Sequence, residues 1–101
     1  MADICESYII SENHPSLKGH FPNNPIVPAV VILDYVRNLL ESSLTDQRIK
    51  TLANSKFIRP LFPQQEFTIN LNTIAAHKIK FECISNGEKI IYGTFITEER
   101  L

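Results

Sequence analysis

The fold is decided by the stretch PAVVILDYVRNLLES at residues 28–42. Four polar side chains recur along it at i, i+3, i+4 and i+7, and the other positions from 29 to 40 are apolar. Those four are Asp34, Arg37, Asn38 and Glu41. Pro28 suits the first turn of a helix, where a missing N–H costs nothing. The pattern predicts a helix over residues 29–42 that is buried over most of its circumference.

Strands are predicted before and after this helix in the sequence. Apolar and polar residues alternate through EFTINLNTI (66–74) and KIKFECI (78–84), which is typical of strands with one buried face. Asn86-Gly87 indicates a hairpin, because both central residues of a type I′ turn need a positive φ. Further strands are expected over residues 4–11, 48–59 and 89–97. The order predicts a single α+β domain over residues 1–101, an antiparallel sheet of about five strands wrapped around one long central helix.

The composition favours an ordinary globular protein. The chain has 101 residues, 44% of them hydrophobic, and its formal net charge of −1 gives no electrostatic reason to bind nucleic acid. No apolar run approaches the roughly 20 residues that span a bilayer, so we expect no membrane segment. Cys5 and Cys83 fit no metal or redox spacing and are expected in strands as buried thiols. A cytoplasmic protein is the simplest interpretation.

One histidine and one carboxylate flank the start of the helix. In GHFPNNPIVPAVVILD (19–34), His20 precedes a proline-rich turn and Asp34 lies in the second turn of the helix. Such a pair can act as acid and base if folding brings both to one substrate. A carboxylate in the middle of AVVILDYV also needs an explanation, because an unpaired charge is costly to bury. Residue type alone leaves two plainer explanations open, a loop histidine and the first member of a polar stripe.

The element order and this motif together resemble the 3-hydroxyacyl-[acyl-carrier-protein] dehydratases of fatty-acid synthesis, which have the hot-dog fold. The family pattern reads roughly N-E-P-F-F-x-G-H-F-P-x-x-P-[IV]-[MV]-P-G-x-x-x-x-[ED]. Residues 19–22 and 25–28 match it without a gap, and Asp34 falls at the family's acid, 14 residues after His20. KFIRPLFPQQEF (56–67) is similar to the family's K-F-x-x-P-V-x-P-G-D-x-L.

The resemblance implies a role for each matching residue. His20 removes the C2 proton of a 3-hydroxyacyl thioester, Asp34 assists loss of the C3 hydroxyl as water, and the backbone N–H of Ala29 polarises the thioester carbonyl. Burial would raise the pKa of such a carboxylate and help it to donate a proton. A cis peptide bond is implied after His20, and no cofactor or metal is implied. The loop that presents the histidine is shaped by Gly19, Phe21, Pro22 and Pro28.

The resemblance also implies the partners. The substrate is a thioester of acyl carrier protein or of coenzyme A. The active site forms across a homodimer, with the histidine from one copy and the acid from the other, and such dimers can build a higher oligomer. Dimerisation extends the sheet across a two-fold axis to about ten strands and covers an exposed edge.

The chain departs from the family pattern in three places. Ala29 replaces a glycine, His14-Pro15-Ser16-Leu17 replaces Glu-Pro-Phe-Phe, and only about a dozen residues precede the motif. These departures keep open a non-catalytic hot-dog subunit that binds acyl carrier or pairs with an active paralogue. An acyl thioesterase is a third interpretation, although such enzymes use a carboxylate with a water and do not need the His-Phe-Pro loop.

The remaining polar residues have ordinary explanations. His14 is expected in the loop and His77 in an exposed turn, while Arg59 either shapes a strand end or pairs with an acid. The lysines either meet an acidic carrier protein or stand on the solvent face of a strand. They are Lys18, Lys56, Lys78 and Lys80.

Overall fold

A computed structural model describes residues 3–17 and 26–101. This part of the chain contains five strands, one α-helix and a short 3₁₀ turn at Pro15–Leu17. The elements are β1 (Ile4–Ile9), α1 (Ala29–Ser43), β2 (Gln47–Phe57), β3 (Glu66–Ala75), β4 (Lys78–Ser85) and β5 (Glu88–Glu99). The predicted helix and strands are confirmed in type and order, and their ends agree to within two residues.

The five strands form one antiparallel sheet in the order β1-β3-β4-β5-β2. One face of this sheet packs on α1, and the hydrophobic core lies between them. The fully buried side chains on the three central strands include Phe67, Ile69, Leu71, Phe81, Cys83 and Ile91. In this strand order β1 and β2 are the two edges of the sheet, and β2 is the longer of them.

The helix α1 buries only one of its faces. Its buried residues are Val31, Ile32, Val36 and Leu40. By contrast, Val30 is 63% exposed, although it is as apolar as its neighbours. The expectation of a helix buried over most of its circumference is therefore wrong for a single chain, because one sheet can cover only one side of a helix.

The ends of α1 follow from local chemistry. The carbonyl of Pro28 accepts a hydrogen bond from the N–H of Val31 at 3.0 Å, which starts the helix. At the other end, the hydroxyls of Ser42 and Ser43 both donate to the carbonyl of Leu39 at 2.8 Å. Such side-chain bonds compete with the helical ladder, and the next residue, Leu44, is extended.

The hairpin between β4 and β5 is confirmed. Asn86 has a φ of 52° and Gly87 a φ of 76°, so both have the sign that a type I′ turn requires. His77 lies in the turn between β3 and β4, as expected, with its side chain 43% exposed. No helix among the described residues is long and apolar enough to cross a membrane.

The two cysteines lie in different environments. Cys83 on β4 faces α1, and burial raises the pKa of its thiol to about 12, with Glu82 adding to the effect. Cys5 lies on β1 and is exposed. The expectation of two buried thiols is thus wrong for Cys5. Its register partner is Asn70, on the face of the sheet that points away from the helix.

Gly93 on β5 is a position where no side chain fits. It pairs with Phe81, and a Cβ built on it would lie 2.8 Å from the Phe81 ring and in hard overlap with the backbone oxygen of Asn54. The register of β2 shifts between Leu52 and Asn54 beside it. Close approach of another backbone is a common reason for a glycine inside a strand.

We expect Gly93→Ala to destabilise the fold by about 1–3 kcal/mol, because the Asn54 oxygen belongs to the main chain and cannot rotate away. Urea unfolding measures this as a lower midpoint with an unchanged slope. Thr94→Ala, one residue further on the opposite face, is the control and should stay within about 0.5 kcal/mol of the unmodified chain. An unchanged midpoint for Gly93→Ala would show that β2 can move away without cost.

Candidate active site at the start of helix α1

The start of α1 presents free backbone donors. Ala29 is the first helical residue, so its N–H and that of Val30 have no acceptor within the helix. The helix dipole adds partial positive charge at this end. Ala29 is only half-buried, and a developing negative charge could therefore reach these donors. The structure thus places the N–H groups of Ala29 and Val30 where an oxyanion could be stabilised.

Asp34 lies on the exposed stripe of α1, about 7.5 Å along the axis from Ala29. Its side chain is 57% exposed, and one carboxylate oxygen lies 3.5 Å from a guanidinium nitrogen of Arg37. In a helix, side chains lean toward the N-terminus, so the carboxylate leans toward the free donors. The expectation of a buried carboxylate is wrong for the single chain, because the sheet covers the opposite face of the helix.

Four of the predicted site residues lie outside the described residues. They are Gly19, His20, Phe21 and Pro22, and the implied cis peptide bond falls there too. Of the predicted set, the structure therefore brings together Pro28, Ala29 and Asp34 on one helix end. The pairing of the histidine with the acid stays a prediction.

The turn between β2 and β3 holds both flanks of the segment that contains His20. C-terminal to that segment, the N–H of Val27 donates to the carbonyl of Leu61 at 2.8 Å. N-terminal to that segment, the N–H of Gln64 donates to the carbonyl of Ile10 at 2.8 Å. The Oε1 of Gln64 also accepts a hydrogen bond from the N–H of Glu12 at 3.0 Å. The start of α1 and the end of β1 thus meet at one turn.

An aromatic groove opens between α1 and β1. It has a volume of about 290 Å³ and is lined by Tyr8, Tyr35, Asn38, Leu39 and Ser42. The rings of Tyr8 and Tyr35 meet edge to face, with their centroids 5.3 Å apart. Partial burial raises the pKa of Tyr8, and Glu6 and Tyr35 add to the effect. The groove begins one residue beyond Asp34 along the helix.

The other polar residues singled out in the sequence lie away from this helix end. Lys78 and Lys80 alternate with the buried Ile79 and Phe81, so they point to the face of the sheet opposite α1. Lys56 pairs with Tyr92 and is also exposed. All three lysines therefore lie on the solvated face of a strand. Neither of the two lysines on β4 lies beside Asp34.

One contact answers a question that the sequence left open, and others were not predicted. Arg59 pairs with Glu88 at 3.0 Å, which settles the choice left open for that arginine. The ion pair between Arg37 and Asp34 has an i, i+3 spacing that the polar stripe already contained. The Gln64 contacts had a weaker signal, since Gln64 stands where the family pattern has the glycine of P-G-D.

Comparisons with known proteins identify the family of the chain. Residues 3–94 match the model of the ApeI-like family, described as ApeI dehydratase. The chain is 30% identical over 92 residues to the 3-hydroxyacyl-[acyl-carrier-protein] dehydratase FabZ of Brucella ovis. The match covers 80% of this chain and 59% of that protein, so the chain spans less than two thirds of the length of this relative.

Solved structures show the same fold. The Dehydratase Heterocomplex ApeI:P from Xenorhabdus doucetiae contains a chain with a TM-score of 0.84 and 19% identity, over 95% of this chain and 87% of that one. A 1,4-dihydroxy-2-naphthoyl-CoA thioesterase from Synechocystis is more distant, with a TM-score of 0.61 and 11% identity over 99% of this chain and 85% of that one. The arrangement is the hot-dog fold expected from the sequence. With its family model matched over residues 3–94, the chain belongs to the ApeI-like dehydratase family.

Proposed function

We propose that the protein is a dehydratase that converts 3-hydroxyacyl thioesters into trans-2-enoyl thioesters and water. The single observation that carries this proposal is the match of residues 3–94 to the ApeI dehydratase family. The geometry of α1 supports it, since free N–H groups and an acid lie within two turns of one another. FabZ of Brucella ovis is named for the same reaction on acyl-carrier-protein thioesters, and we propose that carrier-linked chains are the substrates here.

The reaction needs one base, one acid and one oxyanion site. His20 takes the C2 proton, and the C2–H electron pair moves toward the thioester carbonyl. The N–H of Ala29 stabilises the charge that develops on the carbonyl oxygen. The C2–C3 double bond then forms as the C3–O bond breaks, and the hydroxyl leaves as water with a proton from Asp34. Proton transfer from His20 back to Asp34 through solvent restores both groups, so the steps balance without a cofactor.

The proposed active site is shared by two copies of the chain. Asp34 and Val30 lie one turn apart on the exposed stripe of α1, and a face of this kind is expected to be covered. β2 is an open sheet edge whose last residues, 53–57, are exposed on both faces. It is followed by Ile58, which is 44% exposed. A homodimer that joins two β2 edges would cover this edge and bury the carboxylate.

We expect Val30→Lys to convert this dimer to monomers, because the substitution places two like charges in an apolar contact. Size-exclusion chromatography with light scattering measures the molar mass directly. Ile74→Lys is the matched control, since Ile74 is 56% exposed and lies where β3 ends, at the opposite end of the sheet. A monomeric unmodified chain, or dissociation by Ile74→Lys alone, would contradict the proposed interface.

The activity is tested with a crotonyl thioester, whose conjugated double bond absorbs in the ultraviolet. The proposal predicts that the purified protein hydrates this double bond, so that absorbance falls while no free thiol appears. Release of thiol would indicate an acyl thioesterase instead. Absence of both changes with coenzyme A and carrier-protein thioesters would contradict a dehydratase acting alone.

A second candidate function is a subunit of a mixed complex. The structural neighbour from Xenorhabdus doucetiae belongs to a dehydratase heterocomplex, and Ala29 departs from the family glycine at the oxyanion position. In this case the chain is inert alone and gains activity when it is mixed with a second hot-dog protein. The presence of both His20 and Asp34 favours the first candidate.

We also propose that the protein works in the cytoplasm. Its cysteines are both free, and Cys83 is buried on the helix side of the sheet while Cys5 is exposed on the other face. Unpaired thiols are the usual state in a reducing compartment.

A further inference from the structure

Arg37 is the only basic residue in the sequence of α1, and it contacts Asp34. Its Nη2 lies 3.5 Å from the Oδ1 of Asp34, three residues earlier on the exposed stripe. Glu41, four residues later on the same stripe, is the other carboxylate within reach of this side chain. Among the residues that the structure describes, Arg37 forms no ion pair with Glu41. The guanidinium is therefore turned toward the start of the helix, the direction in which helical side chains lean.

One oxygen of the Asp34 carboxylate is left open. Oδ1 faces Arg37, and Oδ2 has no hydrogen-bond partner among the described residues. An ionised carboxylate has two oxygens that can each accept hydrogen bonds. The cation beside Oδ1 thus leaves the second oxygen for a further group, which in the proposed reaction is the C3 hydroxyl of the substrate.

The setting of this ion pair decides what it contributes. The side chains of Arg37 and Asp34 are 54% and 57% exposed in the single chain, and a solvated pair of this kind contributes little. In the proposed dimer, the face that carries Asp34 and Val30 is covered. A carboxylate that loses its water is costly unless an opposite charge goes with it. In the described part of the chain, Arg37 is the only cation that contacts Asp34.

The proposed reaction also changes the charge on Asp34. The C3 hydroxyl departs with the C3–O electron pair, takes the proton of Asp34 and becomes water, and the carboxylate is left negatively charged. A cation 3.5 Å away stabilises that charge as it develops, and it does so more strongly where water is excluded. A guanidinium stays protonated throughout, so Arg37 adds no step to the proton transfers.

We propose that Arg37 is a positioning residue for Asp34. It orients the carboxylate through Oδ1, leaves Oδ2 to the C3 hydroxyl, and balances the negative charge at the covered face. The family motif ends at the acid and assigns no role to residue 37. The inference rests on the proposed dehydratase function and its dimer, and it concerns a residue that does not touch the substrate.

A double-mutant cycle tests the inference. Arg37→Gln, Asp34→Asn and the double variant are assayed for hydration of a crotonyl thioester. We expect Arg37→Gln to lower kcat about five- to tenfold with little change in KM, as for the loss of one charge-assisted contact made in the transition state. In the Asp34→Asn background, the same substitution should change kcat by less than about twofold, because residues that act through one another are not additive.

Two further variants separate this role from a general effect of charge. Arg37→Lys keeps a cation within reach of the carboxylate and should retain kcat within about threefold. Lys89→Gln is the matched control, since the Nζ of Lys89 lies 3.4 Å from a carboxylate oxygen of Glu82. Glu82 alternates with the buried Phe81 and Cys83, so this second pair lies on the face of the sheet opposite α1. Lys89→Gln should keep full kcat.

The strength of the dimer gives a readout without substrate. Arg37→Gln leaves Asp34 unpaired at the covered face, and the dissociation constant measured by dilution with light scattering should rise about tenfold. Adding Asp34→Asn removes the unpaired charge, and the double variant should return to within about threefold of the unmodified chain. A pair that stays solvated would affect neither value.

Unchanged kcat in Arg37→Gln, or an equal loss in the Asp34→Asn background, would overturn the inference, since the guanidinium would then not act through Asp34. Failure of the proposed function is a different result, in which the unmodified chain hydrates no thioester. The cycle of dissociation constants then decides alone, and additive effects of the two substitutions would overturn the pairing. A chain that is both inactive and monomeric would overturn it as well.

Discussion

We expect replacement of His20 by alanine to lower kcat by about 10²- to 10⁴-fold and to leave the unfolding midpoint unchanged. The reason is that the C2 proton of a thioester is only weakly acidic, so its removal depends on a positioned base. An imidazole can serve near neutral pH because its unperturbed pKa lies close to that range. Steady-state hydration of a crotonyl thioester measures kcat, and urea unfolding of the same preparation measures stability.

The control for this prediction is His77→Ala. His77 lies in the turn between β3 and β4, where its Nε2 is 3.7 Å from a carboxylate oxygen of Glu99. This turn is far from the start of α1 in the fold, and the variant should keep full turnover. If His20→Ala kept most of its activity, the proposed base would be wrong even if the protein proved to be a dehydratase.

We expect replacement of Asp34 by asparagine to lower kcat by about 10²- to 10³-fold. The amide has nearly the shape of the carboxyl group but cannot supply the proton with which the C3 hydroxyl leaves as water. The exposed position of Asp34 and its contact with Arg37 predict that the variant folds normally. Turnover of a 3-hydroxybutyryl thioester, followed by the rise of enoyl absorbance, measures the effect.

Glu41→Gln provides the matched control for Asp34. Glu41 lies on the same exposed stripe of α1, two turns further along, and the substitution removes the same charge. It should leave kcat unchanged. Equal losses in the two variants would indicate that only the charge of the stripe matters and would contradict a specific role for Asp34.

The sequence predicted the elements well because their signals are local. Alternation through residues 66–74 and 78–84 places Phe67 and Phe81 on the buried face, and both are buried. The hairpin at Asn86-Gly87 depends only on the φ preferences of two residues. The strand order β1-β3-β4-β5-β2 depends on contacts between distant parts of the chain, and no local pattern predicted it.

The expectations that proved wrong concern the burial of side chains, which depends on what packs against a helix or strand. Asp34 and Val30 belong to a strongly apolar helix, and the sequence alone suggested that both would be buried. One sheet covers only one face of that helix, so burial of the other face would require a partner, which we propose is a second copy. Cys5 lies on an edge strand, and its exposure follows from its register opposite Asn70 rather than from its residue type.

The part of the candidate site that belongs to the family motif could be predicted from the sequence. Ala29 and Asp34 lie on one helix end as the resemblance implied. The contacts of Gln64 were not predicted, because no residue pattern reports that a glutamine adopts a φ of 67°. That conformation is fixed by hydrogen bonds to Ile10 and Glu12, which are more than 50 residues away in sequence.

The central claim is that His20 of one copy and Asp34 of another form one active site, and mixing two inactive variants tests it most directly. His20→Ala and Asp34→Asn are unfolded together, refolded together and assayed for crotonyl hydration. Random pairing makes half of the dimers mixed, and each mixed dimer contains one intact site out of two. The account therefore predicts recovery of roughly a quarter of the unmodified activity. No recovery from the mixture, although light scattering shows mixed dimers, would contradict a site shared between copies.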